Sequence, residues 1–316
     1  MPSPILGSDT EVASPQLGEA LESAGSESPA SVELPARRGR RLWSGFAENK
    51  LAVVAVVVVV GLVLFCFVGP LLYHTNQVTP ALPTALIHPG LKHLLGTDEA
   101  GYDELGRLMV GGQAALEVGL AAALLASVFG TMLGAFSGFI GGWVDEVVMR
   151  AVDSAIAVPA LVVILIVAAV VTPSVPTLIL VISGVSWFNT CRLARSEALS
   201  LRTRDYVQAS TSMGARRRWI VGRHIAPNLL GTVVVQATLS IATSILLLAG
   251  LSYLGLGPPP PAVNWGSMLS QGLNYALDGY WWLIYPPGVA IVLTVVAFNV
   301  LGDALRDLVE VRLQRR

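Results

Sequence analysis

Few residues in this chain stand at spacings that could do covalent chemistry. A nucleotide-hydrolysing site needs a phosphate-cradling loop that closes on Gly-Lys-Ser/Thr. The two lysines, Lys50 and Lys92, precede Leu51 and His93. ATP hydrolysis by that route is not expected. The four histidines, His74, His88, His93 and His224, stand in no His-Glu-x-x-His frame. His88 and His93 share one segment, where solvated loop histidines are the expectation and a metal pair the alternative. Cys66 and Cys191 lie far apart in apolar runs and read as small buried hydrophobes, outside any disulfide framework. With no nucleophile–base pairing in view, an enzyme is not the expected class. No metal and no cofactor bound by this chain is expected either.

The spacings that do carry information build surfaces. The stretch from Asp205 to Pro227 allows a short helix, a break at Gly214 and a second helix stopping before Pro227. Its neighbourhood holds eight arginines, from Arg192 to Arg223, against Glu197 and Asp205. Anchoring on anionic lipid would explain the charge. A helical break inside a long basic loop points further, to a docking surface for a soluble protein. Tyr206 and Met213 lie seven apart, near one helix face, and are candidate apolar anchors.

Two stripes lie inside apolar runs. Gln236, Ser240, Thr243 and Ser244 share one helix face. In lipid such a stripe faces protein or a wet cavity, so it reads either as interhelical glue or as the lining of a path. Ala122, Ala126, Gly130, Gly134 and Gly138 put a small residue at every fourth position, which lets another backbone approach closely. Glu117, near one end of the same run, reads as an interfacial carboxylate with access to water. A further acidic group, Asp98, Glu99, Asp103 and Glu104, falls between runs.

The elements that must position these residues follow from composition. The chain has 316 residues, 53% hydrophobic and 13% charged, with mean hydropathy +0.66. Soluble domains carry about 25% charged residues, so lipid is the expected solvent and the fold class is all-α. A net charge of −1 argues against nucleic acid as a partner. A bilayer crossing takes about 20 apolar residues. Six runs qualify: 51–72, 116–139, 155–171, 177–194, 231–254 and 282–301. The third and fourth are separated by Pro173-Ser174-Val175-Pro176 and are expected to form a helical hairpin. Placing both termini in the cytoplasm leaves only Lys92 and Arg107 outside among the basic residues. Segments 73–112 and 255–281 are then extracytoplasmic. Residues 1–42 form a cytoplasmic tail expected to be disordered, since 1–36 hold six acids, no base and little to bury. The first helix is expected within 43–72, a five-helix core at 113–301, and a cytoplasmic tail at 302–316.

The motifs resemble one family. Gln208-Ala209-Ser210, then Gly214, then Pro227 is similar to the Glu-Ala-Ala…Gly…Pro loop of binding-protein-dependent ABC importers. Leu95-Gly96-Thr97-Asp98-Glu99-Ala100-Gly101 resembles an outer-loop motif of the second (C-type) permease of dipeptide, oligopeptide and nickel importers. Gly142-Trp143-Val144-Asp145 with Met149-Arg150, Asp153 and Pro159 resembles that family's third-span entry. Leu251 to Gly257 with Trp265-Gly266, and Leu301 to Asp307 with Thr294, Phe298 and Asn299, resemble its last two spans. The likeness covers roughly 43–310. Gln208 stands where the family usually has Glu, Ser210 where it has Ala, and Glu310-Val311 where it often has Asp-Pro.

The resemblance implies a type I ABC importer permease fold in a bacterial plasma membrane. It implies a second homologous permease, two ATP-binding subunits that use the ATP, and an extracytoplasmic substrate-binding protein. In that frame 200–228 is the coupling loop, with Tyr206, Gln208, Ala209, Ser210, Met213, Gly214 and Pro227 at the ATPase. Gln236, Ser240 and Ser244 would line the translocation path. Asp98, Glu99 and Asp103 would touch the binding protein or sister permease. Di- or oligopeptides are the expected cargo. The alternative class is a stand-alone channel or secondary transporter, which would show inverted repeats or buried coupling charges; neither is evident in the sequence.

Overall fold

The computed structural model describes residues 49–314; the N-terminal acidic tail and its arginine cluster lie outside the described residues. Within that range the chain is built from helices. Asn49 caps α1 (Lys50–Phe67) by accepting from the amides of Leu51 and Ala52. The expected first run continued to residue 72, but α1 stops at Phe67 and a separate single turn, α2 (Gly69–Leu72), carries Pro70 in its first turn.

The next helix, α3 (Glu104–Ile140), has 37 residues and begins twelve before the apolar run. Hydropathy marks only the lipid-crossing part; the true start is set by Asp103, whose carboxylate accepts from the Gly106 amide at 2.8 Å. At 1.5 Å per residue α3 is about 55 Å long against about 30 Å of hydrocarbon, so it projects well beyond the bilayer.

The third crossing differs from the single helix expected over 155–171. It consists of α4 (Gly142–Ile156) and α5 (Ala160–Val170), bent by 82°. Pro159 disfavours helical geometry at Val158 and donates no backbone hydrogen bond, which breaks the rod there. With 11 residues, α5 covers only about half the hydrocarbon. By length and composition, five helices can cross a membrane, or six if the bent pair is one crossing.

Ser174 caps α6 (Val175–Arg202), and Pro176 sits in its first turn instead of in the reversal. The chain then forms α7 (Asp205–Ser212) and α8 (Arg217–Ile220). The second loop helix was expected to stop before Pro227. It continues through a π turn, Val221–Ile225, into α9 (Ala226–Tyr253). The wider π turn is how a helix accommodates a residue that lacks an N–H and crowds the preceding turn. A short helix, α10 (Trp265–Leu273), is closed by a capping box between Asn264 and Ser267. The last helix is α11 (Tyr285–Gln314).

The main core joins α3, α5, α6, α9, α10 and α11 around Leu116, Ile164, Ile182, Ile245, Leu248 and Trp265. The small-residue stripe of α3 is a packing surface. Added Cβ atoms at Gly130, Gly134 and Gly138 would lie 2.6, 2.2 and 2.7 Å from the carbonyl oxygens of Trp187, Cys191 and Arg195 on α6. Backbone meets backbone there. Near its cytoplasm-expected end, α4 is tied to α6 by a two-pronged Arg195–Asp145 pair at 2.5 and 2.6 Å and by Arg192–Asp153 at 2.6 Å. The opposite surfaces of α1, α3 and α5 remain apolar and exposed, as for helices solvated by lipid or by another membrane chain.

Candidate functional site

The bundle has a basic end, carrying Arg192 to Arg223, and an acidic end, carrying Asp98 to Glu104. At the basic end α7 lies over the ends of α3 and α6. Val207, Ile220, Ile225 and Leu229 pack in one cluster with Phe139 of α3 and Ala194 of α6. The loop is therefore seated on the bundle by its own apolar side chains. It closes by a Schellman motif, in which Gly214 donates to the Thr211 carbonyl at 3.0 Å and Ala215 to the Ser210 carbonyl at 3.1 Å. Gly214 has φ +81°, and an added Cβ would meet nothing within 4 Å. Glycine is required there by conformation, not by space.

Tyr206 is 43% exposed and Met213 80%, and Gln208, Ala209, Gly214 and Pro227 are also on the surface. Gln208 donates to the Thr203 carbonyl at 3.0 Å and so braces the turn out of α6. Ser210 is a correction to the expected docking set. It is buried, and its hydroxyl donates to the Tyr206 carbonyl at 2.8 Å. Trp219 was not singled out by sequence. It is exposed, and its ring meets His224 edge-on at 5.2 Å, while Tyr206 lies 5.8 Å from the same imidazole. A lone tryptophan following three arginines was the available signal.

The acidic end is organised differently. Asp98 is 7% exposed; one of its carboxylate oxygens accepts from the amides of Ala100 (2.9 Å) and Tyr102 (2.8 Å). The other faces Arg107 at 3.2 Å, and the guanidinium lies 4.5 Å from the Tyr102 ring centre. Burial pushes the Asp98 carboxyl up, against the pull of Arg107 and the two amides. Asp103, 4% exposed, takes the Tyr73 hydroxyl and His93 Nδ1, both at 2.9 Å, besides capping α3. Both carboxylates are turned inward and are not available to a partner, contrary to the expectation for this loop. A buried ion needs its partners close, and the loop supplies them from its own residues. Of the three acids expected to make outer contacts, Glu99 alone is exposed, and it accepts from the Tyr275 hydroxyl at 2.8 Å. Trp265 donates to the Leu108 carbonyl (2.8 Å) and fastens α10 to α3, and Trp282 donates to the Thr97 carbonyl (3.3 Å) and fastens the turn before α11 to this loop.

The order of these features along one apolar chain is matched by known proteins. A family described as "Binding-protein-dependent transport system inner membrane component" matches residues 130–315. A second, described as "N-terminal TM domain of oligopeptide transport permease C", matches residues 38–89. The chain belongs to this permease family. It is 42% identical over 297 residues to the dipeptide transport system permease protein DppC of Escherichia coli (strain K12), covering 90% of this chain and 97% of that protein. It is 36% identical over 288 residues to the oligopeptide transport system permease protein OppC of Bacillus subtilis (strain 168), covering 90% and 94%. The probable D,D-dipeptide transport system permease protein DdpC of Escherichia coli (strain K12) is 38% identical over 272 residues.

The permease's α9 carries the expected polar stripe, but most of it faces the chain's own bundle. Ser244 is fully buried with an unpaired hydroxyl, Ser240 is buried, Gln236 is half-buried and Thr243 exposed. Glu117 lies on the exposed face of α3. Among the described residues of the permease no cluster of three or more His, Cys, Asp or Glu could hold a metal ion.

Proposed function

We propose that this permease is one of two membrane subunits of an ATP-driven, binding-protein-dependent importer of di- or oligopeptides. The basic end faces the cytoplasm and docks an ATP-binding subunit through α7 and α8. The supporting observation is the contrast within that loop. Val207 and Ile220 are sunk into the bundle while Tyr206, Met213 and Trp219 are exposed on a segment outside the apolar spans. Exposed aromatic and methionine side chains on a rigid support are typical anchors for a protein partner.

Val207 and Ile220 share a cluster with Phe139 and Ala194, so a displacement of α7 is transmitted to the ends of α3 and α6. ATP held by the partner subunits does work on the path only through this differential contact between two states. A peptide cargo is favoured because the relatives named above are peptide permeases by name. Of Gln236, Ser240 and Ser244, Gln236 is the one that keeps free surface.

The test is purification of the chain from its native membrane in mild detergent. Recovery of a second permease and ATP-binding subunits is expected, together with a cross-link from Met213→Cys to an ATP-binding subunit. Recovery of this chain alone, transporting in liposomes without ATP, would overturn the reading.

A further inference from the structure

Glu104 opens α3 and is 2% exposed, yet its carboxyl makes no hydrogen bond among the described residues. It lies outside the apolar run of α3, twelve residues before it and about 18 Å along the helix. Its side chain lines a small, partly open cavity of about 10 Å³, room for roughly one water, bounded on the other side by Gln271 and Gly272 of α10, Tyr275 and Leu283. The charged groups facing it are Asp98, Glu99 and Asp103, all acids, and one cation, Arg107. Arg107 is already held by Asp98 and the Tyr102 ring, and α10 contributes no charge. An ionised Glu104 would therefore have no free counter-charge and almost no water.

We propose that Glu104 is a proton-operated latch at the acidic end: its neutral carboxyl lets α10 close over the start of α3, and its ionisation parts them. The same environment raises the carboxyl from the ordinary range to about 8, through burial first and the nearby Asp98 charge second. The sign follows. A carboxyl in the open, hydrated state ionises near 4.5, whereas in the closed state it does so near 8. Closure binds the proton, so it is tightest in acid, weakens as pH rises through that interval, and is weakest above about 8. The inference does not rest on the transport reading, because it concerns the cap itself.

The test is amide exchange of the full chain in lipid nanodiscs, corrected for the intrinsic effect of pH on exchange. Amides of α10 and the first turn of α3 are expected to exchange up to about a hundredfold faster at about pH 9 than at about pH 6. Those of α7 should not respond. Glu104→Gln, a neutral isostere, is expected to abolish the difference, and Glu104→Leu serves as a second neutral variant should the first not assemble. A cap that exchanges alike at both pH values in the wild type, or one that keeps its pH response in a neutral variant, overturns the latch.

Discussion

The permease carries two polar segments outside its apolar spans, and they use side chains in opposite ways. At the acidic end, charge is turned inward: Asp98 and Asp103 are spent on amides, a guanidinium and a helix cap. At the basic end, apolar surface is turned outward: Tyr206, Met213 and Trp219 are exposed while Val207 is sunk. A polar segment that buries its ions stabilises itself. One that exposes large apolar groups on a fixed support needs a partner to cover them. Both were candidates for partner contact by sequence; the acidic end withdraws Asp98 and Asp103, and the large apolar groups it does expose, Leu91, Leu277 and Trp281 among them, are not the residues the sequence pointed to.

The comparison is broken most severely from the acidic side. Asp98→Ala strips Arg107 of its partner and leaves two loop amides unpaired. A loss of about 3–5 kcal/mol is expected, as for other broken buried pairs. Thermal unfolding in detergent should show it as a large drop in midpoint or as failed assembly. Glu99→Ala, on the exposed rim, should change the midpoint little, by less than about 1 kcal/mol. Equal effects of the two substitutions would mean that the inward and outward acids are not distinct.

The next effect belongs to the basic end. Gly214→Val forces a β-branched residue into left-handed geometry, at about 1–2 kcal/mol, with no steric clash to add. Uptake is expected to fail while membrane insertion persists, and Gly214→Asn should restore part of it, since Asn tolerates this conformation. Full uptake by the valine variant would remove the loop from the coupling role. Met213→Ala and Tyr206→Ala should leave thermal stability unchanged. Each should weaken association with the ATP-binding subunit by about 1–2 kcal/mol, roughly 5- to 30-fold. Measuring both quantities on the same variants separates a docking surface from a structural one.

These differences mark what the sequence could reveal. The apolar runs located the helices that are long and apolar enough to cross a membrane, five of them or six if the bent pair is one crossing, because lipid solvation depends on composition alone. The Gly214 break was legible because a positive φ demands a particular residue type. The bend at Pro159 was missed although the proline was visible, because a hydropathy window averages across it. The inward turn of Asp98 and Asp103 was not legible. Their partners Arg107 and Tyr73 are close only after the loop has folded back on α3. Ser210 was misplaced for a related reason: which side of a short helix is covered depends on the bundle beneath it. Trp219 and Glu104 carried a local oddity each, a tryptophan among arginines and an acid beside a cap, and neither signals burial or exposure without coordinates.

The smallest expected effects lie in the α9 stripe, where glue and path remain to be separated. Ser244 holds an unpaired hydroxyl at a fully buried position, a group that costs free energy to keep. If it only packs, Ser244→Ala removes an unsatisfied donor, and stability should rise slightly, by less than about 1 kcal/mol, with uptake untouched. A hydroxyl that finds its partner in the alternate state of the path would behave otherwise. There the alanine variant would be equally stable at rest yet slower in uptake, because the state it stabilised would have lost a hydrogen bond. Gln236→Leu calibrates the measurement, since Gln236 already has free surface. It should lower peptide uptake a few-fold, about 1 kcal/mol, and alter preference among peptides. Unchanged uptake in both variants would assign the whole stripe to interhelical packing. A change in Gln236→Leu alone would place the path boundary between Gln236 and the enclosed serines.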